Sequence, residues 1–362
     1  MAHKARASDP PHETDGASPS PAFSVAALYR FANIANPAAR RVELQALCDA
    51  RRVCGTLLVA REGINGTIAG RGDDVAAVIA EIERWPGLAP IEAKWSTADD
   101  QPFLRMKVRL KREIVALGVS DIDPVGDVGT YVEPADWNAL ISDPEVVVID
   151  TRNAFEVAIG TFDGAIDPKT EAFSDLPAWV DANLDPTRDR KVAMFCTGGI
   201  RCEKATALLA SRGFNDVYHL KGGILKYLED VAEADSLWRG DCFVFDRRVA
   251  LGHGLEQSAY QVCPICRDPV RTGLSGGVAV EICNACKAGA SDEQKVGAKE
   301  RQRQLDLADA RGGLQLGADT TADRASPARR PRDKPIRSRR SPALSGRDAA
   351  RRAHPPDQVG VG

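Results

Sequence analysis

Apolar and polar positions alternate with two different periods over the first third of the chain. Strand-like runs occupy residues 24–34, 54–70, 91–96 and 103–115, and helix-like runs occupy residues 36–52 and 73–85. The run at residues 54–70 contains Asn65-Gly66, a pair that tolerates the positive φ angles of tight turns, so we expect a hairpin turn there. The order strand, helix, strand, strand, helix, strand predicts a ferredoxin-like α+β domain within residues 23–120.

The last of these strand patterns has an unusual distribution of charge. Its apolar positions alternate with four cations, Arg105, Lys107, Arg109 and Lys111. A period of two places all four on one face of a sheet, where neighbouring like charges repel each other. Either acidic neighbours neutralise this cation row or a polyanion does. The cation row therefore predicts an RNA-binding surface, with an ordinary solvated strand face as the alternative.

A second domain follows a linker of Asp, Pro and Gly at residues 118–129. Residues 146–149 and 191–196 are continuous apolar runs, each followed by a helix-like run, and residues 216–233 repeat the scheme. Such strands are typical of a parallel sheet that is covered on both faces. We expect an α/β domain with a parallel sheet at residues 128–240.

A cysteine ends one of these apolar runs, directly before a helix-like run. In doubly wound sheets, ligands bind at the carboxyl ends of the strands, where Cys196 is expected. Gly198 and Gly199 let successive N–H groups point inward, and Arg201 adds a permanent charge, so the loop resembles an anion cradle. A thiol in that field ionises more readily than the reference thiol, whose pKa is about 8.5. The loop predicts a thiolate or a covalent sulfur species at Cys196.

The predicted active-site loop comprises Cys196, Thr197, Gly198, Gly199, Ile200, Arg201 and Cys202. Cys202 falls in the first turn of the helix that follows. Its thiol could attack a persulfide or an oxidised form of Cys196 and release it as a disulfide. Burial as an inert cysteine against the sheet is the alternative, and the pattern favours neither.

This loop resembles the active-site loop of the rhodanese family. The likeness extends over residues 147–168 and over the closing Gly-Gly motif in residues 219–230. In that family a six-residue loop such as 196–201 goes with sulfur transfer, and a loop one residue longer goes with phosphate ester hydrolysis. Many rhodaneses have a His-Ile pair where this chain has Thr161 and Phe162, a departure that we do not expect to alter the thiol.

Five sequence blocks in order resemble the bacterial tRNA uridine hydroxylase family. The blocks are residues 55–70, 101–118, 147–168, 195–205 and 236–255. The resemblance implies an oxygen-dependent enzyme that forms 5-hydroxyuridine at wobble position 34 of tRNA. It also implies molecular oxygen as co-substrate and the tRNA anticodon loop as partner. Two roles for Cys196 stay open, a covalent adduct of its thiolate with C6 of uracil and a persulfide.

Two other functions fit the same residues. The first is a thiosulfate or persulfide sulfurtransferase, in which the N-terminal domain only docks a sulfur acceptor. The second is a redox-sensing RNA-binding scaffold, in which the two loop cysteines report oxidation. The chain has no flavin, haem or Rossmann fingerprint, so we expect no organic cofactor.

Four further cysteines have the spacing C-x2-C-x16-C-x2-C, which fits a tetrahedral zinc ribbon. They are Cys263, Cys266, Cys283 and Cys286. Few apolar residues surround them, so this four-cysteine module would need a metal to fold. We expect the module within an extension at residues 241–292, with a structural zinc ion. Reduced thiols without metal and a labile iron site are the alternatives.

Composition adds the terminal segments and the cellular compartment. The net charge of −3 conceals a basic tail, because residues 327–362 contain ten Lys and Arg against three Asp. Pro, Arg and Ser dominate this tail, so we expect residues 293–362 to be mostly disordered, like residues 1–22. The tail is either a loose electrostatic arm for RNA or a solvated end. Nine cysteines without a disulfide pattern and no long apolar run predict a cytoplasmic protein that does not enter a membrane.

Overall fold

The computed structural model describes residues 23–120, 122–272 and 282–310. The disorder predicted for residues 1–22, and the basic tail beyond residue 310, lie outside these described residues. Within them, no helix is long and apolar enough to cross a lipid bilayer.

The N-terminal domain is a five-stranded sheet with two helices. Its elements are β1 (Phe23–Phe31), α1 (Pro37–Ala50), β2 (Cys54–Ala60), β3 (Gly63–Gly70), α2 (Gly72–Glu83), β4 (Lys94–Ala98) and β5 (Met106–Leu110). The strand order is β4-β1-β3-β2-β5, in which the first four strands are antiparallel neighbours and β5 runs parallel to β2. The ferredoxin-like prediction is confirmed, with β5 as one more edge strand.

The core of this domain lies between the sheet and its two helices. The helices bury Leu44, Cys48, Val75, Val78, Ile79 and Ile82. These side chains pack against Leu57, Ile68 and Val108 of the sheet. Each large apolar side chain buried in this way contributes about 1.5–3 kcal/mol. Because both helices cover the same face, the other face of the sheet is left for the second domain.

The hairpin between β2 and β3 turns at residues 61–62, so the predicted turn at Asn65-Gly66 is wrong. Gly66 lies within β3, where an added Cβ atom would stand 1.9 Å from the carbonyl oxygen of Thr56. Asn65 donates from Nδ2 to the carbonyl oxygen of Ile114 at 2.8 Å. Gly66 therefore allows β2 and β3 to approach closely, and Asn65 makes a tertiary hydrogen bond. The residue preferences of turns indicate neither role.

The second domain is built on a four-stranded parallel sheet. Its elements are β6 (Thr130–Val132), α3 (Pro134–Ile141), β7 (Val146–Asp150), α4 (Ala154–Val157), β8 (Gly160–Phe162), α5 (Leu176–Asn183), β9 (Lys191–Phe195), α6 (Ile200–Ser211), β10 (Asp216–Leu220) and α7 (Gly223–Asp230). The strand order is β6-β10-β9-β7, and all three pairings are parallel. The predicted α/β domain with a parallel sheet is confirmed.

An aromatic cluster fills part of the core of this domain. The ring of Phe162 lies 4.9 Å from that of Phe195, 4.7 Å from that of Tyr227 and 5.1 Å from that of Trp238. All three contacts are edge-to-face, the arrangement that aromatic quadrupoles favour. Phe162, one of the two departures from the rhodanese pattern, is therefore a central packing residue.

The chain beyond α7 forms short strands and two helices. They are β11 (Trp238–Gly240), β12 (Cys242–Phe243), β13 (Ala250–Leu251), β14 (Tyr260–Val262), β15 (Pro269–Arg271), α8 (Asn284–Gly289) and α9 (Asp292–Ala310). α9 corrects the start of the tail that was predicted to be disordered. Acidic Asp292 and Glu293 in its first turn suit the helix dipole, and Arg301 donates to the carbonyl oxygen of Pro264 at 2.7 Å.

Charged side chains join the two domains. Lys204 of α6 forms ion pairs with Glu62 at 2.9 Å and with Glu113 at 2.6 Å, both in the N-terminal domain. In the extension, Arg248 pairs with Asp246 at 2.7 Å and donates to Ser96 Oγ at 2.7 Å. These largely buried contacts set the distance between the N-terminal sheet and α6.

Candidate active site

The Cys196 loop, residues 196–201, lies where the sequence predicts it, between the end of β9 and the start of α6. Gly199 has a φ of 101°, a conformation that favours glycine. Its N–H donates to Cys196 Sγ at 3.1 Å. The curled backbone therefore points a donor at the sulfur, as the anion cradle requires.

The closing Gly-Gly motif supports this loop. The N–H of Ile224 donates to the carbonyl oxygen of Cys196 at 2.9 Å, and that of Leu225 donates to the carbonyl oxygen of Thr197 at 3.1 Å. A Cβ atom at Gly223 would stand 2.5 Å from the carbonyl oxygen of Cys196. The start of α7 thus packs directly against the loop, and a larger residue would displace it.

The surroundings of Cys196 favour its thiolate. Burial raises the pKa of this thiol, but three groups outweigh that effect. A hydrogen bond from Cys202, the charge of Arg201 and the N–H of Gly199 lower the pKa below its usual range. A hydrogen-bonded thiolate next to a guanidinium is a nucleophile at neutral pH.

Cys202 is buried against the sheet, as the second of its two alternatives expected, and its role as an attacking thiol stays a prediction. Its side chain is fully buried and packs in the core, and its sulfur lies 3.6 Å from Thr151 Oγ1. Burial, with the neighbouring charge of Cys196, raises the pKa of the Cys202 thiol well above its usual value. Cys202 therefore stays protonated, and its thiol donates a hydrogen bond to the Cys196 thiolate.

Arg201 has a structural role in addition to the charge that it adds to the loop. Its guanidinium forms a bidentate ion pair with Glu156, with Nη1–Oε2 at 2.7 Å and Nη2–Oε1 at 2.8 Å. Nη2 also donates to Thr197 Oγ1 at 3.2 Å. Burial raises the pKa of Glu156, but the charge of Arg201 dominates and holds it below its usual range. Arg201 therefore holds the loop to α4, and its charge acts on both Glu156 and Cys196.

A second buried pair lies behind the first. Arg152 and Asp150 meet at 2.6 Å, and neither side chain has exposed surface. Thr161 Oγ1 donates to Asp150 Oδ2 at 2.9 Å, and Arg152 Nη2 donates to the carbonyl oxygen of Gly160 at 2.5 Å. Thr161, the other departure from the rhodanese pattern, therefore completes a satisfied polar network around Asp150.

A cleft of about 650 Å³ lies between the Cys196 loop and the helix-free face of the N-terminal sheet. The sheet contributes Tyr29, Thr56 and Lys94 to its lining, and the extension contributes Phe245. Cys196 also lines the cleft, although its own surface is fully buried in this conformation. Both domains and the extension therefore build one site.

The cation row lies on the same sheet face as the cleft. In the register of β5 with β2, Lys107 lies opposite Thr56 and Arg109 lies opposite Leu58. Thr56 and Leu58 both line the cleft. Lys111 is itself part of that lining. The row therefore continues the cleft lining to the edge strand of the sheet.

Repulsion within the row is not relieved by acidic side chains. Burial lowers the pKa of Lys107, and the charges of Arg105 and Arg109 lower it further. In the part of the chain that the structure describes, no carboxylate lies within ion-pair distance of Arg105, Lys107, Arg109 or Lys111. Acidic neighbours therefore do not explain the row, which leaves a polyanion or an ordinary solvated strand face.

The four cysteines of the four-cysteine module are brought together. Their sulfur atoms all lie within 4.8 Å of one another, and those of Cys266 and Cys283 are 3.6 Å apart. Zinc–sulfur bonds of about 2.3 Å in a tetrahedron imply sulfur atoms about 3.8 Å apart. Cys263 directly follows β14 at its hairpin with β15, and Cys286 lies in α8. The residues fit a closed zinc site with four thiolate ligands.

Comparison with known proteins identifies the family. Residues 23–114 match the UPF0176 acylphosphatase like domain, and residues 133–230 match the rhodanese-like domain. A tRNA uridine(34) hydroxylase of Mesorhizobium japonicum is 55% identical over 300 residues, covering 81% of this chain and 96% of that protein. One of Jannaschia sp. is 54% identical over 299 residues, covering 82% and 99%. The chain belongs to the tRNA uridine(34) hydroxylase family. The resemblance of the five sequence blocks is confirmed.

A solved structure is similar to part of this family member. The solution structure of a rhodanese-like domain from Anabaena sp. is 21% identical, covers 30% of this chain and 78% of that chain, and has a TM-score of 0.26. At this TM-score the similarity says nothing about the geometry of the site.

Sequence reasoning missed several residues of the site in this family member. Tyr29 Oη donates to Glu203 Oε1 at 2.7 Å, and Lys94 Nζ lies 5.2 Å from the centre of the Tyr29 ring. Burial, with the charge of Glu203, raises the pKa of Tyr29, and burial raises the pKa of Glu203. Tyr29 and Lys94 stand at alternate positions of ordinary strand patterns, so no local signal connects them with Cys196.

Proposed function

We propose that this chain hydroxylates C5 of uridine 34 in tRNA, with molecular oxygen as co-substrate. Identity of 55% to a relative of that name, over 96% of the relative's length, carries this assignment. The match includes both domains that line the cleft, so it is not a likeness of the rhodanese domain alone. The sulfurtransferase and scaffold functions have no such support.

The cleft suits a single-stranded anticodon loop. The cation row offers sites for backbone phosphates at the edge of the sheet. Phe245 is 65% exposed, lines the cleft and is braced edge-to-face by Phe243, with ring centres 5.1 Å apart. Unpaired RNA bases stack on such aromatic side chains. The target base then reaches the Cys196 loop from the mouth of the cleft.

Two forms of chemistry fit Cys196. In one, its thiolate adds to C6 of uracil and the electron pair passes to O4, which makes C5 nucleophilic toward oxygen. In the other, a persulfide on Cys196 is the reductant. Both use the lowered thiol pKa that Cys202, Arg201 and Gly199 produce.

The reaction needs two electrons besides those of uracil. One atom of O2 enters the base, and the other must be reduced to water. In the adduct mechanism, the Cys196–Cys202 pair supplies these electrons by forming a disulfide once Cys196 has left C6, and the Cys202 proton with one proton from solvent enters the water. A thiol reductant then restores the pair. The requirement for reduced thiols, and a tRNA substrate, fit the cytoplasm.

Single-turnover chemistry tests the function. Pre-reduced protein, tRNA lacking the modification and isotope-labelled O2 are mixed without added reductant, and nucleosides and peptides are analysed by mass spectrometry. We expect about one labelled 5-hydroxyuridine and one Cys196–Cys202 disulfide per chain. Unmodified tRNA would overturn the function. Thiocyanate formation from thiosulfate and cyanide would then indicate the sulfurtransferase, and tRNA binding alone would indicate the scaffold.

The four-cysteine module holds structural zinc in this proposal. All four sulfur atoms are close enough to be ligands, and the module has a closed ligand set with no position for substrate. Two of the cysteines also anchor a local turn, because Cys286 N–H donates to Cys283 Sγ at 3.4 Å. Zinc would join the β14–β15 hairpin to α8 and support α9.

A further inference from the structure

Two cations stand near the Cys196 loop, and only one has an anionic partner. Arg201 is engaged by Glu156 through two hydrogen bonds. Lys94, at the start of β4, lines the same cleft as Cys196. Among the described residues, no carboxylate and no hydrogen-bond acceptor is within bonding distance of Lys94 Nζ. The free positive charge of this site therefore comes from the N-terminal domain.

Contacts on both sides hold Lys94 at the loop. Lys94 Cε lies 3.6 Å from the position that a Cβ atom at Gly222 would occupy, in the motif that supports Cys196. Tyr29, which lies under the ammonium, has its Oη 2.8 Å from the Cβ position of Gly199. Glu203 fixes the Tyr29 hydroxyl at 2.7 Å. The lysine therefore spans from the sheet to the mouth of the Cys196 loop.

We propose that Lys94 supplies an unpaired positive charge directly beside the Cys196 loop. In the free protein its ammonium stabilises the Cys196 thiolate. With substrate bound, and resting on the function proposed above, it stabilises the negative charge that develops on O4 of uracil when the thiolate adds to C6. The thiolate electron pair forms the S–C6 bond, and the C5–C6 π pair moves toward O4.

The anions of the cleft act in favour of the ammonium form of Lys94. Burial and the charge of Lys226 hold its pKa below the usual value, and the charges of Cys196, Glu92 and Glu203 oppose that shift in part. A fixed charge in a water-poor site acts more strongly than one in bulk water and needs no reorganisation during reaction. The charged or titratable groups that face Cys196 are Arg201, Cys202, Glu203, Tyr29, Glu156 and Lys94.

The position of Lys94 explains why the N-terminal domain is needed beside the rhodanese domain. Within the rhodanese domain the nearby cation is Arg201, which is paired with Glu156. Lys94 reaches the loop only because Lys204 and Arg248 hold the N-terminal sheet beside it. Full reactivity of Cys196 therefore requires both domains.

The test measures the ionisation of Cys196 in the absence of RNA. Thiolate absorbance is titrated against pH for each protein, and the same protein carrying Cys196→Ser is subtracted. Removing a nearby cation raises a thiol pKa, so Lys94→Met should move the midpoint upward by about one pH unit. Lys94→Arg should restore most of the shift. The control is Lys221→Met, which removes an exposed lysine paired with Glu133 and should leave the midpoint unchanged.

An unchanged midpoint in folded Lys94→Met would overturn the proposal, as would equal shifts in Lys94→Met and Lys221→Met. If Lys94→Met does not fold, Lys94→Gln and Lys94→Arg are compared in the same way. On tRNA, Lys94→Met should lower kcat by more than it raises KM. Because the titration needs no substrate, a chain without hydroxylase activity would sink the proposed function and still leave the Lys94 result decisive.

Discussion

The two cysteine centres of this chain are built in opposite ways. Cys196 stands on a loop that backbone N–H groups, a buried Arg201–Glu156 pair and the start of α7 hold in place. In its described residues, the four-cysteine module has two short strands and one short helix, and two of its four cysteines are buried. In the first centre the fold positions the thiol, whereas in the second, if zinc is bound as proposed, the metal–thiolate bonds stabilise the local fold.

The strongest test of this contrast removes the reactive thiol. Cys196→Ser keeps the shape of the side chain but not its acidity, so hydroxylation should fall by at least about a thousandfold. The thermal unfolding midpoint should barely move, because the loop is held by backbone contacts. Nucleoside mass spectrometry of tRNA from cells with only this variant, beside calorimetry, measures both. Retained 5-hydroxyuridine would remove Cys196 from the reaction.

Removing metal ligands should have the reverse effect. The double variant Cys263→Ser, Cys283→Ser should lose the single zinc ion expected per chain and unfold the module, while the thiolate titration of Cys196 stays unchanged. Metal analysis and hydrogen exchange across β14, β15 and α8 provide the two readouts. A wild-type protein that is metal-free after purification without chelator, with all thiols reduced, would contradict the zinc site.

The buried pair behind the loop comes next in size. Glu156→Gln leaves the Arg201 guanidinium unpaired and should cost about 3–5 kcal/mol of unfolding free energy. Because the pKa of Glu156 is held low in the folded protein, its stabilisation is present above the unfolded pKa of about 4.3 and lost as pH falls through the folded value. Urea unfolding at several pH values should show the wild-type advantage shrinking in acid.

Asp181→Asn is the matched control for that variant, since Asp181 pairs with Arg212 at the surface. Its unfolding free energy should barely change at neutral pH. A similar loss in both variants would mean that the Glu156–Arg201 pair is no more important than a surface pair.

The smallest expected effect concerns the cation row. Lys107→Gln with Arg109→Gln should weaken tRNA binding and lower the slope of log affinity against log salt by about 0.7–0.9 per lost contact. Stability should not fall, because no described carboxylate depends on these cations. Arg84→Gln with Arg188→Gln removes two exposed cations elsewhere and is the control. An unaltered salt slope would remove the row from the RNA-binding surface.

Much of the fold was accessible from the sequence because it rests on local periodicity. Apolar spacing located the helices α1 and α2 and the strands β7 and β9, since burial of one face or of both leaves a repeating pattern. The hairpin turn was misplaced because Asn65-Gly66 has the composition of a turn, while its partners Thr56 and Ile114 are outside any local pattern. Helix α9 was missed because its polar composition resembles that of a disordered segment.

The sequence by itself determined the chemistry that depends on residue type and near neighbours. A thiol after a buried strand, two glycines that let the backbone curl and the spacing of two CxxC pairs are all local, so their geometry follows from the chain alone. Only the tertiary structure decided where charges act. Arg201 is paired with Glu156, 45 residues away in sequence, and the Tyr29 hydroxyl donates to Glu203, 174 residues away. Coulomb energy and close packing depend on distance through space, which local sequence patterns do not encode.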